Sequence, residues 1–188
     1  MATADTSISD FIGLNRSWVS NMAVEESART GYTHKVTVSA KDISDLCLAQ
    51  SSPLTSTGDE LRMAVFTLAQ NEDSDSAVTD SALIVTKAFA SSTAQTIVCD
   101  VGDAAGGAQL LAAVTLITTG TGAERGHASY ATLPEDENPL LDVNGGTQGT
   151  AAGTSYMNFL NSAAGGLDDL TDGEVTLLLK VRESSTIA

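Results

Sequence analysis

Residues Glu174 to Arg182 read Glu-Val-Thr-Leu-Leu-Leu-Lys-Val-Arg. Val175, Leu177, Leu179 and Val181 alternate with Thr176, Leu178, Lys180 and Arg182. This is the period of two that sends successive side chains to opposite faces of a strand. A strand this apolar has to be inserted in a sheet, so this stretch predicts that the C-terminal end of the chain closes a β fold.

Working back from it, the same pattern recurs. His34 to Ser39 alternates, with Val36 and Val38 on one face and Lys35 and Thr37 on the other. Leu61 to Leu68 (LRMAVFTL) is short and mostly apolar, as expected of a strand covered on both faces. Ala82 to Ala90 puts Leu83, Val85 and Phe89 on one face, with Lys87 as the exception, and Thr96 to Val101 turns Ile97, Cys99 and Val101 inward. Turn-rich linkers separate these runs at Ser51–Gly58, Asn71–Thr79 and Gly102–Gly107. Leu110, Leu111, Val114 and Ile117 suit a short helix, and Val114 to Thr119 equally suits another strand. Short strands joined by Gly, Ser, Thr and Asp loops predict an all-β, antiparallel sandwich or barrel, and no fixed-period repeat is present.

Two regions stand apart from this pattern. Residues 1–31 are polar with spaced apolar positions, of which Phe11, Leu14 and Trp18 fall at i, i+3 and i+7, one face of a short helix that Ser9 or Asp10 would cap. The segment reads either as a helix docked on its own domain or as an arm reaching a neighbouring subunit. Residues 122–173 are loop-like and glycine-rich, with Pro134, Pro139 and the pairs Gly145-Gly146 and Gly165-Gly166. A loop this long is uncommon inside a compact domain and points to an interaction surface or to disorder. Tyr156, Met157, Phe159 and Leu160 form an apolar island in it. The expected division is therefore an N-terminal arm over 1–31 and a β domain over 32–188 that includes this loop-like insertion.

The 188 residues carry 9 basic and 24 acidic side chains, a formal charge of −15, and 42% are hydrophobic. That is enough for a core, so the chain does not read as a disordered acidic tail. The few Lys and Arg are scattered, which argues against nucleic acid and against anionic membrane surfaces as partners. No run reaches the ~18 apolar residues of a membrane helix, and Met1 to Asp10 lacks the basic and apolar regions of a secretory signal. Cys47 and Cys99 read as buried free thiols made in a reducing cytosol.

The residues with chemical potential are few. His34 heads a strand and His127 lies in a glycine-rich loop, with no nucleophile elbow near either and no paired zinc-ligand spacing with the cysteines. Gly120, Gly122 and Gly126 match a nucleotide loop only loosely, since the last spacing is wrong for G-x-G-x-x-G, and they read as turns. Three acidic groups occur: Glu72, Asp73 and Asp75; Glu135, Asp136 and Glu137; and Asp168, Asp169 and Asp172. None follows the EF-hand order, so solvated loop charge is the reading over calcium. A paired-carboxylate glycosidase would want aromatic sugar platforms, and only 4% of residues are aromatic. The expectation is no catalytic residue, no metal and no cofactor.

Read in order, the middle of the chain resembles the capsid decoration, or cement, proteins of tailed bacteriophages. The residues that carry the resemblance are Val36, Val38, Asp42 and Ile43, then Val65, Phe66, Thr67 and Leu68. Val78, Asp80, Leu83, Val85 and Phe89 follow, and after them Val101, Gly102 and Asp103 with a small helix beyond. It covers about residues 34–118 and 173–182, half of the chain; residues 1–31 and 122–173 have no counterpart in it. The resemblance implies a jelly-roll sandwich, assembled as a homo-oligomer on the exterior of a virion and bound to the major capsid protein. Cementing requires only buried area at subunit junctions, ~1,200–2,000 Å² for a specific interface, multiplied over many copies. Aromatic anchors dominate such interfaces, so Phe11, Leu14 and Trp18, and then Tyr156, Met157 and Phe159, are the expected contacts. The alternative is a receptor- or carbohydrate-binding sandwich of a phage tail or head fibre, which requires exposed aromatics in a groove.

Overall fold

The computed structural model describes residues 3–6, 19–21, 31–50, 53–67, 74–102, 111–118, 121–122, 126, 128–132 and 154–185. They form eleven strands and one helix: β1 (Thr3–Thr6), β2 (Val19–Asn21), β3 (His34–Ser39), α1 (Ala40–Leu48), β4 (Glu60–Thr67), β5 (Ser74–Ser91), β6 (Ile97–Gly102), β7 (Leu111–Thr118), β8 (Thr121–Gly122), β9 (Ala128–Thr132), β10 (Thr154–Asn161) and β11 (Leu170–Ser185). A 3-10 turn over Leu167–Asp169 leads into β11.

The strands make two sheets, ordered β1-β4-β10-β6-β7-β8 and β2-β3-β11-β5-β9. Every pairing is antiparallel except that of β1 with β4. Four of the pairings are nested: β6 with β7, inside β5 with β9, inside β4 with β10, inside β3 with β11. Successive shells of this nest fall in alternate sheets. The expected antiparallel sandwich is therefore present.

The core lies between the sheets and is built as alternation dictates. Val36, Val38, Leu83, Val85, Val175, Leu177 and Leu179 come from one sheet, and Leu61, Met63, Val65, Ile97, Cys99, Val101, Met157 and Phe159 from the other. Each such side chain contributes roughly 1.5–3 kcal/mol relative to exposure.

Three local findings refine the sequence reading. First, β3 stops at Ser39 because Ser39-Ala-Lys-Asp42 is a capping box: the Ser39 hydroxyl accepts from the Asp42 amide, and the Asp42 carboxylate accepts from the Ser39 amide at 3.1 Å. The helix it starts buries Ala40, Ile43, Leu46 and Cys47 and carries the chain from one sheet to the other.

Second, the helix-like spacing of Leu111, Val114 and Ile117 belongs to a strand. Val101 stands opposite Leu111 and Cys99 opposite Val114, so β7 advances three residues where β6 advances two. A second shift lies between Ile97 and Val98. Each bulge adds a residue, and the period of two becomes one of three.

Third, the exception at Lys87 has the same cause. Val175 faces Val85 but Glu174 faces Lys87, and Asp172 then faces Ala90. The first shift turns Lys87 out, where it meets Asp172 at 2.6 Å, and the second returns Phe89 to the core. Phe89 then lies so close to Gly173 (φ +129) that a Cβ there would sit 2.4 Å from the ring. Glycine is required at 173 both by its backbone angle and by the ring.

The loop-like reading of 122–173 is corrected in part, because β9, β10, the 3-10 turn and the start of β11 lie within it. Polar positions such as Asn158 hid the alternation of β10. Of the N-terminal segment, β1 and β2 each add an edge strand to a sheet of this same chain. The predicted helix carrying Phe11, Leu14 and Trp18 lies outside the described residues.

Candidate functional site

The expected contact residues Tyr156, Met157 and Phe159 all lie on β10, between β4 and β6 in the six-stranded sheet. Alternation splits them. Met157 and Phe159 are 0% exposed and belong to the core, so they are corrected from interface residues to packing residues. Tyr156 is half-buried and faces the other way.

The outward face around Tyr156 is an ordered array. Ala64, Tyr156 and Gly102 make one row across β4, β10 and β6; Arg62, Asn158 and Asp100 make the next; Glu60, Leu160 and Val98 the third. Small neighbours on both sides leave room over the tyrosine ring, and the Arg62 guanidinium carbon stands 4.4 Å from its centroid, a cation–π contact. The Asn158 amide donates to Asp100 Oδ1 at 2.7 Å. Although they point away from the core, Glu60, Arg62 and Asn158 are only 6%, 8% and 1% exposed.

Burial is what moves the Asp100 carboxyl. Desolvation raises it above its ordinary value of 3.8, the bond from Asn158 pulls it back, and the nearby Glu60 charge pushes it up again. The array thus combines an aromatic face, a guanidinium, an amide and a carboxylate of raised proton affinity within three strands. Such a set is suited to holding polar and charged groups in fixed geometry.

Other candidates take structural roles. Asp169 accepts from Thr93 Oγ1 at 2.8 Å, from the Gly166 amide at 3.1 Å and from Ser92 Oγ at 3.1 Å, tying the loop after β5 to the 3-10 turn. These bonds, the Gly166 amide first, hold its carboxyl below the ordinary range. Asp172 is lowered by its bond from Lys87. The carbonyl of Asp168 accepts from Ser44 on α1. No group of three or more His, Cys, Asp or Glu side chains able to hold a metal occurs among the described residues.

His34 Nδ1 shares a 2.9 Å hydrogen bond with Thr33 Oγ1, whose hydroxyl also donates to the Leu179 carbonyl. His127, Gly120 and the acidic groups at Glu72–Asp73 and Glu135–Glu137 lie outside the described residues. Gly122 packs so close to the Phe89 backbone that a side chain would not fit, and the Gly126 amide donates to the Val85 carbonyl at 2.7 Å. Cys47 and Cys99 are buried and unbridged, and burial, aided by nearby carboxylates, pushes both thiols well up.

Arg62, Asn158 and Asp100 were not singled out by the sequence. A partial signal exists, since Arg62 and Asn158 each interrupt an apolar run at an outward position. Their meeting across 58 residues of chain between Asp100 and Asn158 has no local signature. No helix among the described residues is long and apolar enough to cross a membrane. No family model, no characterised protein and no solved structure matches this chain.

Proposed function

We propose that this chain is a structural virion protein: a jelly-roll sandwich that binds the outer surface of a tailed-phage capsid and cements neighbouring major capsid proteins. The observation that carries the reading is the nest of four strand pairs falling in alternate sheets. A jelly roll, one long eight-stranded hairpin rolled on itself, would wind in this way, and that supports the reading.

The segments that resemble cement proteins fall on members of that nest. His34–Ser39 is β3, Leu61–Thr67 lies in β4, Val78–Phe89 in β5, Ile97–Gly102 in β6, and Gly173–Arg182 in β11. The role asks for no chemistry, only for a stiff body with a specific polar surface, repeated many times. The N-terminal segment and the half-buried Tyr156 are the positions offered for contact with the major capsid protein or with further copies of the chain, while the buried Arg62 and Asn158 hold Tyr156 and Asp100 in place.

Copy number tests this reading. Particles purified from the source are analysed by quantitative mass spectrometry against the major capsid protein. Hundreds of copies, in a ratio near one or a simple fraction of it, are expected of a lattice-wide cement. A few dozen copies would transfer the chain to a tail or fibre, and absence from particles overturns the reading. Deleting residues 1–31 removes β1 and β2 but none of the eight nested strands. The shortened chain is expected to keep a cooperative unfolding transition and to lose particle binding.

A further inference from the structure

The connection from β5 to β6, residues 92–96, meets the connection from β10 to β11, residues 162–169, at Gly165. The Gly165 backbone has φ +95, and a Cβ there would stand 2.5 Å from Thr93 Oγ1, 2.8 Å from Asp169 Oδ2 and 3.3 Å from Gln95 Oε1. Glycine is required by its angle, and in place of a side chain it leaves three oxygens turned towards one point. Thr93 and Asp169 are already bonded to each other, Oγ1 donating to Oδ2 at 2.8 Å.

Gln95 is different. It is 0% exposed, and its Oε1 is buried with no hydrogen-bond partner among the described residues. The other end of its amide fixes which way it points. Ser91 Oγ donates to the Asp169 carbonyl at 3.2 Å and accepts from the Thr93 amide at 3.2 Å, so its single proton is used. The amide atom beside it has to donate, and Gln95 Nε2 does so at 2.5 Å. The carbonyl end is thereby turned towards Gly165. A buried acceptor is costly to leave unmatched, and the neighbours of this one are themselves acceptors.

We infer that Gln95 Oε1, Thr93 Oγ1 and the Asp169 carboxylate are ligands of a calcium ion. Thr93 gives its proton to Asp169 and keeps lone pairs for a cation. The carboxylate takes Thr93, the Gly166 amide and Ser92 on three of its roughly four lone-pair sites, and one remains. Thr93 is exposed and Asp169 partly so, which gives an ion a way in beside the sealed glutamine. One carboxylate with neutral oxygens and water suits a hard cation held weakly, at about 10⁻⁴–10⁻³ M. Magnesium fits less well, because it demands near-ideal octahedral geometry and gives up its water reluctantly. Asp172 is no part of the site, being paired with Lys87 at 2.6 Å. The ligands come from two connections, with Thr93 and Asp169 76 residues apart in the chain, so no linear motif announces them. The ion would tie the β5–β6 connection to the 3-10 turn before β11, whatever surface the protein binds; the inference does not rest on the capsid reading.

Thermal unfolding of the full chain tests it, in chelator, in about 10 mM magnesium and in about 10 mM calcium. Both cations screen the net charge of −15 alike, so the reading is the extra rise in midpoint that calcium gives over magnesium. About 3–10 °C is expected. Gln95→Met, of similar volume, and Asp169→Asn are expected to lose that extra rise, and Thr93→Ala, at an exposed position, to reduce it. Asp80→Asn, well down β5 from Ser91, is expected to keep it. No extra rise in the wild-type chain overturns the inference, as does a full rise in either Gln95→Met or Asp169→Asn, which would move the ion to another acidic loop. Should those two variants fail to unfold cooperatively, a full rise in Thr93→Ala overturns it.

Discussion

The two faces of β10 obey different rules. On one, Met157 and Phe159 are fully buried between the sheets, held by shape and dispersion against Leu61, Met63, Cys99 and Val101. On the other, Tyr156 and Asn158 are held by particular partners, a guanidinium at 4.4 Å and a carboxylate at 2.7 Å. The inward face tolerates exchange of one apolar residue for another of similar volume. The outward face does not, because its buried polar groups depend on partners of fixed chemistry and geometry. Stability is concentrated on the first face and specificity on the second.

That contrast can be broken or sharpened in four steps. Phe159→Ala removes the largest fully buried side chain and should destabilise the fold by about 3–5 kcal/mol, read from denaturant unfolding; a loss near 1 kcal/mol would mean that the core collapses around the gap. Asn158→Ala strips Asp100 of its amide donor and should cost about 1–3 kcal/mol, while pushing the Asp100 carboxyl further up. Asn158→Asp, of nearly equal size, should not rescue it, and a full rescue would show that shape alone rules this face. Tyr156→Leu keeps apolar area and loses the cation–π contact, for an expected ~0.5–1 kcal/mol, measured against Arg62→Met in a double-mutant cycle.

The smallest effect is in the pH dependence. Asp100 has a raised folded-state value, so its ionisation opposes folding, and stability from this group rises as the pH falls through that value. Asp169, with a lowered value, acts in the opposite sense: its contribution is present above the ordinary carboxylate range and is lost as the pH falls towards its folded value. Asp100→Asn should therefore delete the gain on mild acidification and leave only the loss at lower pH, seen in unfolding midpoints taken from about pH 3 to pH 7.

How much of this the sequence discloses depends on how local each cause is. The strands β3, β4, β5, β6 and β11 are legible because alternation is a nearest-neighbour property, and their inward residues are the ones expected at Val36, Val38, Leu83, Val85, Ile97, Cys99, Val175, Leu177 and Leu179. β7 is ambiguous because its bulges, set by the partner strand β6, turn a period of two into a period of three. β10 is hidden because its outward positions are occupied by Tyr156 and Asn158, whose reason for being there is Arg62 and Asp100 on other strands. The helix α1 is short, and its decisive signal is the four-residue capping box at Ser39. The apolar island at Tyr156–Leu160 is visible in composition, yet which of its residues face outward becomes clear only once β10 is known to be a strand.

The nest of strand pairs also sets the order in which the molecule can be made. Its innermost pair, β6 with β7, is separated by a short connection, whereas the outermost, β3 with β11, is closed by contacts such as that from Thr33 to Leu179 across 146 residues. Loop-closure entropy must be met before so distant a contact returns any free energy, and chains dominated by such contacts fold in milliseconds to seconds rather than microseconds. During synthesis β3 emerges early and waits, its β11-facing edge open, until β11 has been translated. A nascent chain in that interval exposes apolar strand edges to its neighbours. The speed with which β11 enters the sheet therefore decides how much of the chain reaches the folded state.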